Sequence, residues 1–248
     1  MNIDHIPRPL YIAHRGVCAR YPENTLAAFR GAIDAGAHMI ELDVTLSKDR
    51  RLVVIHDETV DRTTNGQGAV NALTLTRLQQ LDAGSWFDSR FAGERLPTLA
   101  QVLDAVKGHL WVNIEIKPEA FEKEGPIDAV ERQVCDLVVA KRMRDAVLIS
   151  SFEWRVLERL RLLDARIAIG LLSEGPADEH LGYWQKRLGA FSWHPDYRVL
   201  TRPQVDAVHA MGAWVFPYAV NGRIDTRGLL AMGVDGLITD DPDQMRVA

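Results

Sequence analysis

The sequence predicts a closed (β/α)8 barrel of the α/β class. Three observations carry that expectation. Beyond Pro97, short apolar runs alternate regularly with amphipathic segments, the pattern of a parallel sheet covered by helices. Eight strand units fit into 248 residues, the size of one large barrel domain. Charged residues fall at the C-terminal ends of several apolar runs, early and late in the chain. That suits a barrel mouth better than the single switch point of an open doubly wound sheet, the competing architecture.

The elements can be justified in order. Leu10-Tyr11-Ile12-Ala13 is a short apolar strand. Leu26 to Gly36 has helical apolar spacing, with Asn24 or Thr25 able to cap it and Gly36 able to end it. Met39 to Asp57 reads as two alternating strands joined by a tight turn at Lys48 to Arg51, a hairpin. Pairing outward from a turn centred between Asp49 and Arg50 places Asp43 opposite His56 and Glu41 opposite Glu58. Residues 58–97 break the rhythm, with a short helix near 75–81 and the aromatic stretch Trp86 to Phe91. They are expected to form a small inserted subdomain after strand 2, within a single domain spanning 1–248. Thereafter helices are predicted over 98–107, 126–144, 154–163, 180–188, 202–211 and 224–232. Strands are predicted over 110–117, 146–150, 167–172, 190–193, 214–216 and 235–239.

Composition excludes several function classes. The chain is 47% apolar and 25% charged, ordinary for a globular protein. A net charge of -5 with no basic run offers no footprint for nucleic acid or an anionic membrane. Cys18 and Cys135 are too few for a disulfide framework or a zinc site and read as reduced thiols. Residues 1–9 contain no apolar core of a secretory signal. No apolar run approaches the roughly 20 residues that span a bilayer. A cytoplasmic location without stable membrane association is expected.

The chemistry gathers at predicted strand ends. His14 and Arg15 follow the first strand, Glu41 and Asp43 lie on the second, and Glu115 and Lys117 on the third, with His56 brought in by the hairpin. Glu41, Asp43 and Glu115 each sit inside an otherwise apolar strand, where a charge is costly without a partner. Three carboxylates and no thiolate suit a hard divalent ion, Mg2+ or Ca2+, with Mn2+ also compatible. The bland alternative is pairing with Arg or Lys. Arg15 and Lys117 offer a fork and a point charge for phosphate oxygens, or they simply neutralise the carboxylates. With an ion added, the pocket would be locally positive, which favours an anionic substrate.

His14 and His56 supply an acid and a base near neutral pH, each worth about 10²–10⁴ in rate. His5, His38, His109, His180 and His209 read as surface or packing residues, and His194 stands at a strand end where it would line the mouth or the core. His56-Asp57 does not suggest a triad, because neighbours on a strand point opposite ways. The chain has no nucleophile elbow, phosphate-binding Gly-Lys loop or dinucleotide fingerprint.

Taken together, His14-Arg15-Gly16, Pro22-Glu23-Asn24-Thr25, Glu41-x-Asp43, His56-Asp57, Glu115-Ile116-Lys117-Pro118 and Gly233 to Asp240 resemble the glycerophosphodiester phosphodiesterases. The cytoplasmic bacterial type is the most similar. Asp82-Ala83-Gly84-Ser85-Trp86 and Ser150-Ser151-Phe152 add to the resemblance, which runs from Leu10 to Pro242. No single motif decides it; their order and spacing do. The resemblance implies a phospholipase-C-like barrel that hydrolyses a glycerophosphodiester to sn-glycerol 3-phosphate and an alcohol. It implies Glu41, Asp43 and Glu115 as metal ligands, His14 and His56 as the acid/base pair, and Arg15 and Lys117 on the phosphate. Tyr218 would pack on the glycerol. The resemblance is compatible with direct attack by water and with a cyclic phosphate formed by a glycerol hydroxyl.

The chain departs from the family pattern at three places. Cys18 stands where small residues are common. Ala219 replaces Thr after the aromatic Tyr218. Asp49-Arg50 replaces the more usual Asp-Gly, and a type I turn with a bulge there would move the hairpin register by one. Two further readings compete with the soluble-substrate enzyme. One is a lipid-directed phospholipase, with Trp86, Phe87, Phe91 and Trp193 as a docking surface at the mouth. The other is a non-catalytic barrel that binds phosphodiesters.

Overall fold

A computed structural model describes residues 6–245. Its strands are β1 (Leu10–Ala13), β2 (Met39–Leu46), β3 (Leu52–Val54), β4 (Trp111–Ile116), β5 (Val147–Ser151), β6 (Ala168–Ser173), β7 (Ser192–Pro195), β8 (Trp214–Val215) and β9 (Gly236–Thr239). The hydrogen-bonded order is β8-β7-β6-β5-β4-β2-β1-β9, all parallel, with β3 antiparallel to β2 outside this path. β8 and β9 meet through Asp235 N–H to Val215 O (3.1 Å) and Ile238 N–H to Pro217 O (3.0 Å), so the barrel is nearly closed. Helices α1 (Leu26–Asp34), α2 (Leu75–Leu78), α3 (Leu99–Val106), α4 (Val130–Ala140), α5 (Trp154–Leu163), α6 (Glu179–Leu188), α7 (Arg202–Ala210), α8 (Arg223–Ala231) and α9 (Pro242–Met245) complete it. No helix among the described residues is long and apolar enough to cross a membrane.

Local chemistry explains the element ends. Thr25 caps α1 by accepting from Ala28 N, and Thr98 and Gln101 form a capping box on α3. The expected 126–144 helix is shorter, because the chain ahead of Val130 is irregular and Arg142 turns left-handed (φ 55°) past Ala140. α9 was not anticipated from the sequence.

Strand alternation splits the sheet into two environments. Outward residues such as Ile40, Leu42, Val44, Ile114 and Ile149 pack under the helices. Inward residues Leu10, Ile12, Met39, Leu148, Phe216 and Ile238 fill the lower barrel. Above them lies a buried polar layer. Ser150 Oγ donates to Asn113 Oδ1 (2.9 Å), and Ser192 Oγ lies 2.7 Å from His194 Nε2. Gly170 is needed beside it, since a Cβ there would come within 2.8 Å of the His194 ring. His194 thus belongs to the core and not to the mouth. The polar strand ends point into the mouth above this layer.

The hairpin differs from expectation. The observed pairs are Val44 with Val54, Thr45 with Val53 and Leu46 with Leu52. Asp43 therefore faces Ile55, whose N–H donates to Asp43 O (3.1 Å), and neither Asp43–His56 nor Glu41–Glu58 is a cross-strand pair. The cause is the turn. Arg50 N–H donates to Ser47 O (2.8 Å), Ser47 N–H donates to Arg51 O (3.0 Å), and Arg50 sits left-handed at φ 58°. That is a type I turn followed by a bulge, which moves the register by one. A non-glycine holds this conformation because its guanidinium is clamped, bidentate on Glu122 (3.0 and 2.6 Å) and paired with Asp128.

Residues 58–97 continue from this hairpin. Val60, Val70, Leu78, Leu81, Ala83 and Leu96 pack on Val53 and Ile55. Asp82 ties the segment by accepting from Gly84 N (2.9 Å), Ser85 N (2.8 Å) and Gly93 N (2.8 Å). The motif around Asp82 is therefore structural.

Burial holds His194 neutral, with its pKa lowered from 6.5 to about 3. As pH falls below 6.5, the unfolded chain takes up this proton first, so its contribution to stability is lost between about pH 6.5 and 3. His194→Gln is expected to be less stable than the parent at pH 8 by about 1–3 kcal/mol, the cost of an impaired buried hydrogen bond. The gap should narrow toward pH 4. Urea unfolding across pH checks it, and a constant gap would refute it.

Candidate active site

Adjacent parallel strands set Asp43 beside Glu115 and Glu41 beside Asn113. Alternation turns Glu41, Asp43 and Glu115 inward, and their ligand oxygens all lie within 4.8 Å of one another. All three are buried. At that separation each like-charge pair costs about 3–4 kcal/mol with an effective dielectric near 20. Partners relieve part of it. Glu41 Oε2 accepts the Arg15 N–H (2.9 Å), Asp43 Oδ2 accepts from Asn24 Nδ2 (2.8 Å), and Glu115 Oε1 accepts from Lys117 Nζ (3.0 Å). Glu41 Oε1 and Asp43 Oδ1 are buried and accept no hydrogen bond. Burial and the neighbouring carboxylates push the Glu41 pKa well up and that of Glu115 to about 7. Burial would raise Asp43 also, but Lys117 and Arg15 outweigh it and hold it below the usual range. An all-oxygen set with two orphaned acceptors fits a hard divalent cation.

The loop after β1 makes this possible. Gly16 has φ 80°, and a Cβ there would sit 2.6 Å from Ala28. This tight passage turns the Arg15 N–H back onto Glu41. The Arg15 side chain pairs with Glu23 (2.9 Å) and lies 3.5 Å from Asp43, while Lys117 Nζ lies 3.4 Å from Asp43 Oδ1. In the structure, then, both cations pair with carboxylates while lining the same cavity.

Each imidazole is held by a carboxylate that stood in a quoted motif but was given no role at the site. His14 Nδ1 is 2.7 Å from Asp240 Oδ1, whose other oxygen accepts from Asn221 Nδ2 (2.6 Å). His56 Nδ1 is 2.7 Å from Asp57 Oδ1. The alternation argument against His56–Asp57 failed because β3 ends at Val54 and the two residues are in a loop. Asp240 had a visible signal as the first acid beyond the last strand.

Two cavities open at the mouth. The inner one, about 310 Å³, is lined by His14, Arg15, Glu41, His56, Glu115, Lys117 and Tyr218, which are seven of the eight predicted site residues; Asp43 lies buried beside it. Tyr218 Oη donates to Ser173 O (3.1 Å) and its ring meets Phe152 edge-on. The outer cavity, about 970 Å³, shares His56, Lys117, Phe152, Leu172 and Glu174 with the inner one and extends to Trp154 and His180. His180, read as a surface or packing residue, stacks on Trp154 there. The aromatic docking surface that the competing lipid-directed reading needs does not form at the mouth. Trp193 is buried, and Trp86, Phe87 and Phe91 pack among themselves away from both cavities. His38 accepts from Tyr11 N–H and His209 bonds Asp235, as packing residues do, and His109 is exposed. His5 lies outside the described residues. Burial, with Asp240 nearby, pushes the Cys18 thiol far up, which makes it inert.

The glycerophosphoryl diester phosphodiesterase family model matches residues 14–244. The chain belongs to this family. It is 41% identical over 242 residues, 96% of each sequence, to a glycerophosphodiester phosphodiesterase of Caldanaerobacter subterraneus subsp. tengcongensis. An Oleispira antarctica phosphodiesterase, solved with the product sn-glycerol-3-phosphate, superposes with a TM-score of 0.85 at 28% identity, covering 96% of both chains. A glycerophosphodiester phosphodiesterase from Agrobacterium tumefaciens superposes with a TM-score of 0.81 at 29% identity, covering 95% of this chain and 98% of its own. The chain is accordingly a barrel enzyme of the glycerophosphodiester phosphodiesterase class, a phosphoric diester hydrolase.

The carboxylate cluster makes a stability prediction. Glu41→Gln keeps an acceptor for the Arg15 N–H and removes a carboxyl whose raised pKa in the folded chain costs stability above its unfolded pKa. In chelator it is expected to melt a few degrees above the parent, with about 2–4 °C per kcal/mol at this chain length. Calorimetry checks this, and a lower melting temperature would show that the repulsion is already relieved.

Proposed function

We propose that this enzyme hydrolyses soluble glycerophosphodiesters to sn-glycerol 3-phosphate and an alcohol, with a divalent ion and a histidine pair. The carrying observation is one small inner cavity lined by two buried carboxylates, two cations and two imidazoles, with a third carboxylate, Asp43, buried beside it. The product named for the Oleispira antarctica structure supports the substrate class.

Glu41, Asp43 and Glu115 would hold the ion, Mg2+ or Ca2+, with Mn2+ compatible. When bound, such an ion neutralises charge on phosphoryl oxygens and orients the substrate. Arg15 and Lys117 would then turn from the carboxylates to the phosphate, which is attractive because the ion takes over their partners. The phosphate would sit between the cavities, with the glycerol arm inside against Tyr218 and the leaving alcohol outside. His56 lines both cavities, whereas His14 lines only the inner one. That asymmetry favours His56 as the acid toward the leaving oxygen and His14 as the base on the attacking nucleophile, either water or a glycerol hydroxyl whose cyclic phosphate water then opens. In each ring a carboxylate on Nδ1 leaves Nε2 to handle the proton. The two free thiols fit a reducing, cytoplasmic setting.

Purified protein with glycerophosphocholine and Mg2+ or Ca2+ is expected to release glycerol 3-phosphate, and chelator to abolish release. An absence of product with any divalent ion and several head groups would overturn the reading. His14→Ala and His56→Ala are each expected to lower kcat by about 10²–10⁴. Both should keep the metal-induced rise in melting temperature, because neither is a ligand. A substrate-binding barrel without catalysis would show the melting shift and no turnover in the parent.

A further inference from the structure

His56 has an unusual mounting for a group that must be aimed. β3 ends at Val54, so no sheet ladder fixes it, and its ring makes one hydrogen bond among the described residues, to Asp57. Asp57 is itself partly exposed and lies on the same loop. Its carboxylate is held from a third residue, Arg62. Arg62 Nε donates to Asp57 Oδ2 (2.7 Å) and Nη2 to Asp57 Oδ1 (2.9 Å). The same guanidinium reaches across the mouth, Nη1 to Glu23 Oε2 (2.7 Å) and Nη2 to Glu23 Oε1 (2.8 Å). Glu23 accepts in turn from Arg15 Nη1 (2.9 Å). One side chain closes the series Arg15–Glu23–Arg62–Asp57–His56.

An exposed ion pair ordinarily contributes little to stability, which would make Arg62 incidental. Two facing forks on one planar guanidinium are different. They specify orientation as well as charge, and they link the loop after β1 to the loop after β3. Glu23 is mostly buried, with a side-chain exposure of 10%, so the anchor end is rigid.

We propose that Arg62 is a positioning residue for the reaction, aiming His56 at the leaving oxygen by locking Asp57 to Glu23. This rests on the reading of His56 as the acid given above. Arg62 lines neither cavity and touches no reacting atom; it acts through Asp57. Its loss should therefore matter only where protonation of the leaving group matters.

The test compares two glycerophosphodiesters, one with choline and one with p-nitrophenol as the leaving group. Nitrophenolate departs without a proton and choline alkoxide does not. Arg62→Ala is expected to lower kcat about 10²-fold for the choline ester, part of what a general acid supplies, and less than about 3-fold for the nitrophenyl ester. Arg62→Lys, which keeps the charge without the fork, should show the same split. Asp57→Asn reaches the pair from the other side and should show it too. In a His56→Ala background, Arg62→Ala should cost less than about 3-fold further. Melting curves with and without metal confirm that each variant is folded. Equal losses on both esters, or an undiminished loss in the His56→Ala background, would mean a merely structural role and overturn the inference. Unchanged kcat in Arg62→Ala with an inactive His56→Ala would overturn the inference alone. A fully active His56→Ala would overturn the reading beneath it as well.

Discussion

The structure depends on burying three carboxylates side by side on two neighbouring strands. Asp43 and Glu115 are lateral neighbours in the sheet, and Glu41 is on the same face one step below Asp43. Nothing in folding favours this. An apolar face would be cheaper, and the repulsion of several kcal/mol is only partly met by Arg15 and Lys117. A domain is stable by only about 5–15 kcal/mol, so the rest of the fold must hold these groups against their preference. The lower barrel does so, with Leu10, Ile12, Met39, Leu148, Phe216 and Ile238 packed below the acids.

The neighbours of that cluster follow from its charge. The Arg15 N–H and the Asn24 amide are spent on individual carboxylate oxygens, and both residues adopt left-handed backbone to reach them. Strained residues with φ above zero gather where geometry is being imposed by function. The imidazoles are mounted differently. Each takes a carboxylate on Nδ1 and sits in a loop beyond a strand end, lining the same inner cavity as Glu41 and Glu115. The site therefore has a rigid, buried, anionic floor and a rim built from ion-paired loops. Catalytic groups on loops need such external fixing, because the sheet no longer supplies it.

Much of this was legible before any coordinates. The barrel, the order of its strands and six residues that line the inner cavity, His14, Arg15, Glu41, His56, Glu115 and Lys117, followed from period-two and helical patterning and from polar residues at the ends of apolar runs, while Tyr218 came with the family resemblance. The helix over Trp154–Leu163 matched to the residue. What escaped were relations that pattern does not encode. The hairpin register turned on whether Arg50 would tolerate a left-handed turn, and that was decided by Glu122 and Asp128, some 70 residues away. His56 and Asp57 were placed on opposite faces because the return strand was taken through Asp57, past its end at Val54. His194, at a predicted strand end, could line the mouth or the core, and only the packing shows that it is fully buried in the interior.

The sequence by itself determined which residues could carry the chemistry, because a charge in an apolar strand must have a reason and alternation assigns its face. It also determined the closed sheet, because each strand's apolar outer face needs a helix and the chain supplies one for nearly every strand. Only the tertiary structure decided who holds whom. Asp240 meets His14 across 226 residues of chain, and Arg62 meets Glu23 across 39. Such pairings arise from the closure of the barrel and the path of its loops, and ion pairs of this kind leave no periodic mark in a sequence. The same closure splits the mouth into an enclosed inner cavity and an open outer one, and so separates the settings of the two histidines.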